Sequence, residues 1–135
     1  VPAAAPRRET YVRAMVEAAD AEATGGVALV PEGIMDGWNV LATPDGATGS
    51  ATFTLDLPFE DDYTLLLRAK GTADGTGQLA TSLDGEPIGN ASVAGDGWSW
   101  TDVGAAHLQA GQHTVTVSFA AGAELMLHSV LLTNE

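Results

Sequence analysis

The residues with the most chemistry to offer are three tryptophans, Trp38, Trp98 and Trp100, each set beside Gly, Asp, Asn or Ser. An indole presents a broad apolar face with a favourable electrostatic fit to C–H groups, so it suits a ligand that is flat and carries hydroxyls at its rim. Trp98 follows Asp96-Gly97, where a loop enters a strand. Trp100 lies two residues on and shares its face if that strand is regular. Polar groups have to accompany such a platform, because hydroxyls left unpaired in a dry site are costly. Asp36 and Asn39 flank Trp38, Asp96 and Ser99 flank Trp98, and Glu124 lies in the loop before the last apolar stretch.

Other chemistries fare less well. His107, His113 and His128 invite a zinc reading, but no His-x-x-x-His or His-x-His spacing is present. They read as surface or hydrogen-bonded histidines. The run Glu60-Asp61-Asp62 has the composition of a catalytic carboxylate pair. It follows Pro58 between two strand-like segments, so it reads as a solvated turn. Residues 71–77, GTADGTG, are glycine-rich, but no helical pattern follows, so they form a turn and not a phosphate cradle. No serine elbow, phosphate loop or dinucleotide fingerprint occurs. Cysteine is absent, which excludes disulfides and thiolate metal sites.

The chain that must position these residues has 135 of them, the length of one domain. A domain of this size buries about two-thirds of its unfolded surface and needs no covalent staples. Lys+Arg is 5 against Asp+Glu 18, a net charge of −13. Beyond Arg7, Arg8 and Arg13 the basic residues are Arg68 and Lys70 alone. Nucleic acid is therefore excluded as a partner, since its phosphates require cations, and an anionic membrane is disfavoured for the same reason. A hydrophobic content of 45% argues against disorder, and no apolar run approaches the length of a membrane span. Glycine numbers 16, and Thr and Val recur in short alternating runs, the composition of an all-β domain with many turns.

Residues 1–9, VPAAAPRRE, read as a linker remnant, and residues 10–135 as the folded module. Residues 10–23 are rich in helix formers, yet their apolar positions do not choose between helix and strand. Further on the alternation is clear. Phe53, Leu55 and Leu57 share one face, Tyr63, Leu65, Leu67 and Ala69 another, and His113, Val115, Val117 and Phe119 a third. Asp84-Gly85 is a hairpin turn, because that pair tolerates positive φ. Residues 125–132 are densely apolar, as in a central strand covered on both faces. Roughly eight to ten short strands result, which reads as a β-sandwich or jelly roll of two antiparallel sheets.

Four segments, in order, resemble carbohydrate-binding modules of families 6 and 35, which have a galactose-binding-like sandwich. They are Val16-Glu17-Ala18-Ala19-Asp20-Ala21 with Gly25-Gly26; Gly49-Ser50-Ala51-Thr52-Phe53 with Asp62-Tyr63-Thr64-Leu65; Trp98-Ser99-Trp100 with residues 108–115, LQAGQHTV; and residues 127–134, LHSVLLTN. The resemblance runs over residues 16–135. It implies an opening strand, placed here at residues 11–17, in preference to a helix. It also implies that Trp98 lines a ligand cleft, that Trp38 faces it from a second loop, and that Trp100 packs nearer the core. Asp36, Asn39, Asp96, Ser99 and Glu124 are then the polar groups for sugar hydroxyls.

Modules of this kind commonly hold a structural calcium through acids of the opening strand and an Asp of the final strand. Here Glu17 remains, with Asp20 nearby, but Ala19 and His128 stand at the other matching positions. Imidazole is a poor ligand for a hard cation, so the usual site is incomplete and calcium is an open question. The function implied is that of a secreted, monomeric, noncatalytic module that binds a polysaccharide or oligosaccharide beside a covalently linked catalytic domain, a glycoside hydrolase or polysaccharide lyase. The net charge of −13 would repel a polyanion, which favours a neutral glycan: a galactan such as agarose, a xylan or a mannan. The competing readings are a structural or adhesion sandwich that binds no sugar, and a small β-sandwich lyase, which would need cations that this chain barely has.

Overall fold

The computed structural model describes residues 12–31, 39–42, 48–70, 76–94, 98–119 and 125–134. These form eleven strands: β1 (Arg13–Glu17), β2 (Glu22–Gly25), β3 (Ala28–Pro31), β4 (Asn39–Ala42), β5 (Gly49–Leu57), β6 (Asp61–Lys70), β7 (Thr76–Leu83), β8 (Glu86–Ala94), β9 (Ser99–Leu108), β10 (Gly111–Phe119) and β11 (Met126–Thr133). A single 3₁₀ turn, Ala18–Asp20, follows β1. The opening segment is thus a strand despite its helix formers. Pairing Ala14 with Leu132 and Val16 with Val130 of β11 outweighs propensity. All four residues of β2 are exposed, so it carries no alternation that a sequence pattern could show.

Two antiparallel sheets pack face to face. One has the order β3-β4-β11-β6-β9, with β1 also paired to β11; the other has the order β2-β5-β10-β7-β8. Alternation makes the core. Tyr63, Leu65, Leu67 and Ala69 of β6 are buried beside Leu127, Val130 and Leu132 of β11. Across the sandwich stand Phe53, Leu55 and Leu57 of β5, with Val115, Val117 and Phe119 of β10. Each such side chain contributes about 1.5–3 kcal/mol on leaving water. As expected of a central strand, β11 is buried from Leu127 to Thr133 on both faces.

The connections divide the sandwich into two ends. At the closed end are the short turns at residues 58–60, 84–85 and 109–110. Asp84 and Gly85 have φ of 51° and 87°, the left-handed pair that a two-residue hairpin requires. Tyr63 Oη donates to the Phe59 carbonyl at 2.7 Å and braces the first of these turns. The open end carries the last residues of β4, β6, β8 and β10 and the first of β5, β7, β9 and β11.

Three strands bulge. The β6–β9 register slips between Leu65 and Leu66, leaving Val103 as the extra residue. The β7–β8 register slips between Thr81 and Ser82, leaving Ile88 extra, and the β6–β11 register slips across His128. The bulged residues Val103 and Ile88 each lie against a glycine of the other strand. A Cβ on Gly89 would lie on the Val103 carbonyl, and one on Gly104 would lie 3.0 Å from the Ile88 carbonyl. The edges of the two sheets therefore touch backbone to backbone through two glycines, which covers the strand edges at that level.

Candidate functional site

Trp98 sits immediately before β9 at the open end, and its placement follows from register. Ser99 pairs with Ala69 and Trp100 with Arg68, so Trp98 stands level with Lys70. Lys70 Nζ lies 5.3 Å from the centroid of the Trp98 ring. Arg68 Cζ lies 5.9 Å from the centroid of Trp100. Two cation–indole pairs are thus stacked along the outer face of one sheet, each within the range where the ring quadrupole attracts a cation. The alternation that sends Leu65 and Leu67 inward sends Arg68 and Lys70 outward beneath these rings. That alternation and the i, i+2 spacing of the tryptophans were the available signal for this pairing.

Trp98 also reaches His128, which sits at the bulge of β11. The ring centroids are 6.2 Å apart and the planes are inclined at 73°. His128 is itself buried, with Nδ1 3.1 Å from Ser129 Oγ. Burial pushes its pKa down and the nearby Arg68 adds to this, against the opposing pull of Glu17, so the ring is neutral near pH 7. Trp98 is half-buried against these neighbours.

One expectation is overturned. Trp100 does not pack nearer the core; it is 40% exposed. Its partner Arg68 belongs to the outward set of β6, so the pleat turns the indole to the solvent face. There it borders a groove of about 270 Å³ with Arg13, Met15 and Leu131.

Of the other ligand-binding candidates, Ser99 and Asn39 lie among the described residues. Ser99 is exposed and adjoins Trp98. Asn39 is exposed at the start of β4, opposite Pro31. Strands β4 and β9 stand on either side of β11 and β6, about 14 Å apart at ordinary strand spacing. Trp38, Asp36, Asp96 and Glu124 lie outside the described residues.

Glu17 is exposed opposite Ser129, and Asp20 is exposed in the 3₁₀ turn. Among the described residues, no three acids or imidazoles converge where a metal ion could sit. A single carboxylate beside a neutral imidazole is a poor donor set for calcium, which takes six or more oxygens. The described residues at this position do not fit that ion. The remaining histidines, His107 and His113, belong to the closed end, and the Glu60-Asp61-Asp62 run lies with them.

No family model and no curated protein matches the sequence. The fold, however, is shared with solved structures. A family 35 carbohydrate-binding module from Clostridium thermocellum superposes with a TM-score of 0.71 at 16% identity, over 88% of this chain and 97% of that one. The module CBM6cm-2 from Cellvibrio mixtus lichenase 5A, in complex with cellotriose, gives a TM-score of 0.68 at 16% identity, over 90% of this chain and 96% of that one. The GH26-CBM35 β-(1,4)-mannanase of Podospora anserina gives a TM-score of 0.72 at 23% identity, over 93% of this chain but 28% of that one. The architecture is thus the two-sheet β-sandwich of these structures, as the sequence resemblance implies.

Proposed function

We propose that this chain is a noncatalytic module that binds a neutral polysaccharide at its open end, with Trp98 as the platform. The observation that carries the reading is the indole of Trp98, half-buried on the outer sheet face at the open end and set between Lys70 and His128. Such a ring is ordered before ligand arrives, so little conformational entropy is lost on binding. Lys70 and Ser99 supply polar groups beside it, and Asp96 adjoins it in sequence. Trp38 with Asp36 and Asn39, and Glu124, are the second group of candidate contacts. The fold's other examples include a module bound to cellotriose and one joined to a mannanase, which supports a sugar ligand and a linked catalytic partner.

The charge of −13 favours agarose-like galactans, xylans or mannans over alginate or pectin. Affinity electrophoresis against those five polysaccharides tests the reading. Retardation by at least one neutral glycan, with no product released, is the expected result. No retardation by any of them would leave a structural sandwich domain, and product formation would mean an enzyme.

A further inference from the structure

The closed end, remote from Trp98, holds a cluster that sugar binding does not use. His107 on β9 has Nδ1 2.8 Å from Asp62 Oδ1 and Nε2 2.8 Å from Glu60 Oε2. Gln109 Nε2 donates to the same Glu60 oxygen at 2.6 Å. The backbone carbonyl of Gln109 lies 2.7 Å from His113 Nε2, and His113 Nδ1 lies 2.6 Å from Asp84 Oδ2. Asp84 is fixed in turn, since its Oδ1 accepts the Thr114 amide at 2.8 Å and its own amide donates to the Thr114 carbonyl at 2.8 Å. One continuous chain of hydrogen bonds therefore runs Asp62–His107–Glu60–Gln109–His113–Asp84. It passes from β6 and β9 in one sheet to β10 and the β7–β8 turn in the other.

All four imidazole nitrogens in this chain face oxygens of carboxylates or a carbonyl, which above the carboxylate range can only accept. A neutral imidazole has one N–H and leaves one of its two contacts as lone pair against lone pair. We propose that the closed end is a proton-operated clamp, in which doubly protonated His107 and His113 tie the three turns and both sheets together, and loss of a proton from either ring opens one arm.

The surrounding charges agree with this. Hydrogen bonds donated to Glu60 first, and then to Asp62, hold the His107 imidazolium above its ordinary range. Burial opposes charge on His113, but Asp84 and the Gln109 carbonyl outweigh it and the net shift is upward. Glu60 is held below its usual range by His107 and Gln109. At Asp84, burial pushes upward but is outweighed by the Thr114 amide and His113, so its net shift is downward. At the closed end of the packed elements stand Asp61 opposite Leu108, Asp56 opposite Gln112, and Glu86 at the start of β8, all acidic, while Asp102 of β9 and Arg68 and Lys70 of β6 lie further along toward the open end. Arg13 stands on β1, two strands from β6.

The sign follows from the direction of each shift. The raised histidines stabilise the fold fully below the ordinary imidazole value of 6.5, and this is lost as pH rises through their raised values. The lowered carboxylates stabilise it above their ordinary values of 4.5 and 3.8, and this is lost as pH falls through their lowered ones. The clamp is whole between these limits.

Nitrogen NMR of the wild-type imidazoles reads the protons directly. At about pH 6 both nitrogens of His107 and His113 should be protonated, with titration midpoints above that of a free imidazole, while the midpoint of His128 should fall below it. Thermal melts from about pH 6 to about pH 9 form the second arm, comparing wild type with the His107→Asn/His113→Asn double variant. The wild-type midpoint should fall by several degrees over that range and the variant's far less. Neutral His107 and His113 rings at about pH 6 would overturn the clamp. So would an equal fall in the double variant, because self-repulsion of an acidic chain would then account for the slope. If the double variant does not fold, the NMR titration decides alone.

Discussion

Replacing Trp98 by Ala separates a ligand platform from a packing residue. The ring is half-buried and its contacts include Lys70 at 5.3 Å and His128 at 6.2 Å. A cation–π contact is worth about 0.5–1 kcal/mol at an exposed site, and an edge-on aromatic pair about 0.5–1.5 kcal/mol. Trp98→Ala should therefore cost about 1–2.5 kcal/mol of stability, below the 3–5 kcal/mol that truncating a fully buried tryptophan typically costs. Loss of a central aromatic anchor should cost at least about 2 kcal/mol of binding, roughly thirtyfold in affinity. Trp100→Ala is the comparison. It removes one contact with Arg68 from an exposed ring, so stability should fall by about 1 kcal/mol or less. Urea titrations give the stabilities, and affinity electrophoresis on the glycan that retards wild type gives the binding. Destabilisation of Trp98→Ala by the core-residue amount, with affinity kept by each folded molecule, would make Trp98 a packing residue and not the platform.

Three further outcomes are expected. Gly89→Ala should destabilise by about 1–3 kcal/mol, since its methyl meets the Val103 carbonyl on another backbone; a neutral denaturation midpoint would mean that the two edges part easily. Asn134→Ala removes the acceptor for the Val12 amide at 2.7 Å and the donor to Asp61 at 3.1 Å, so amide exchange should quicken along β1 first, and unchanged protection there would contradict that anchoring. Chelation with EDTA should leave the melting temperature unchanged. A specific ion at a hundredfold excess over its Kd would add about 2.7 kcal/mol, so a drop of several degrees would reveal a calcium site built from other acids.

Much of the fold was legible because period-2 alternation is a strong local signal. It placed the buried faces of β5, β6 and β10, and Asp84-Gly85 announced its own turn. The buried length of β11 was also readable, since both of its faces are covered. Parity even put Trp98 and Trp100 on one face. What failed was the inference that two same-face rings must differ in depth: register with Arg68 decides Trp100, and register is a property of two strands together. The bulges at Ile88, Val103 and His128 were invisible for a related reason, because one extra residue barely alters a hydrophobic pattern. The Asp62–His107–Glu60 contact joins residues 45 and 47 positions apart and exists only once β6 and β9 have paired. Read alone, those acids suggested a solvated turn. They are exposed, but each grips an imidazole.

The hydrogen bond from Val12 to Asn134 has a mechanical consequence. It brings the first and last described residues side by side at the closed end, where Arg13 faces Thr133 on the antiparallel strand. Tension that reaches the sandwich through these two points pulls β1 and β11 apart crosswise. Their ladder is then loaded one rung at a time, as in a zipper, and not in parallel, as in shear. The five residues of β1 should peel first, starting at Arg13. The open end lies a full strand away, about 26 Å along the eight residues of β11. A pulled molecule would thus lose its opening strand while Trp98 still kept its place over Lys70.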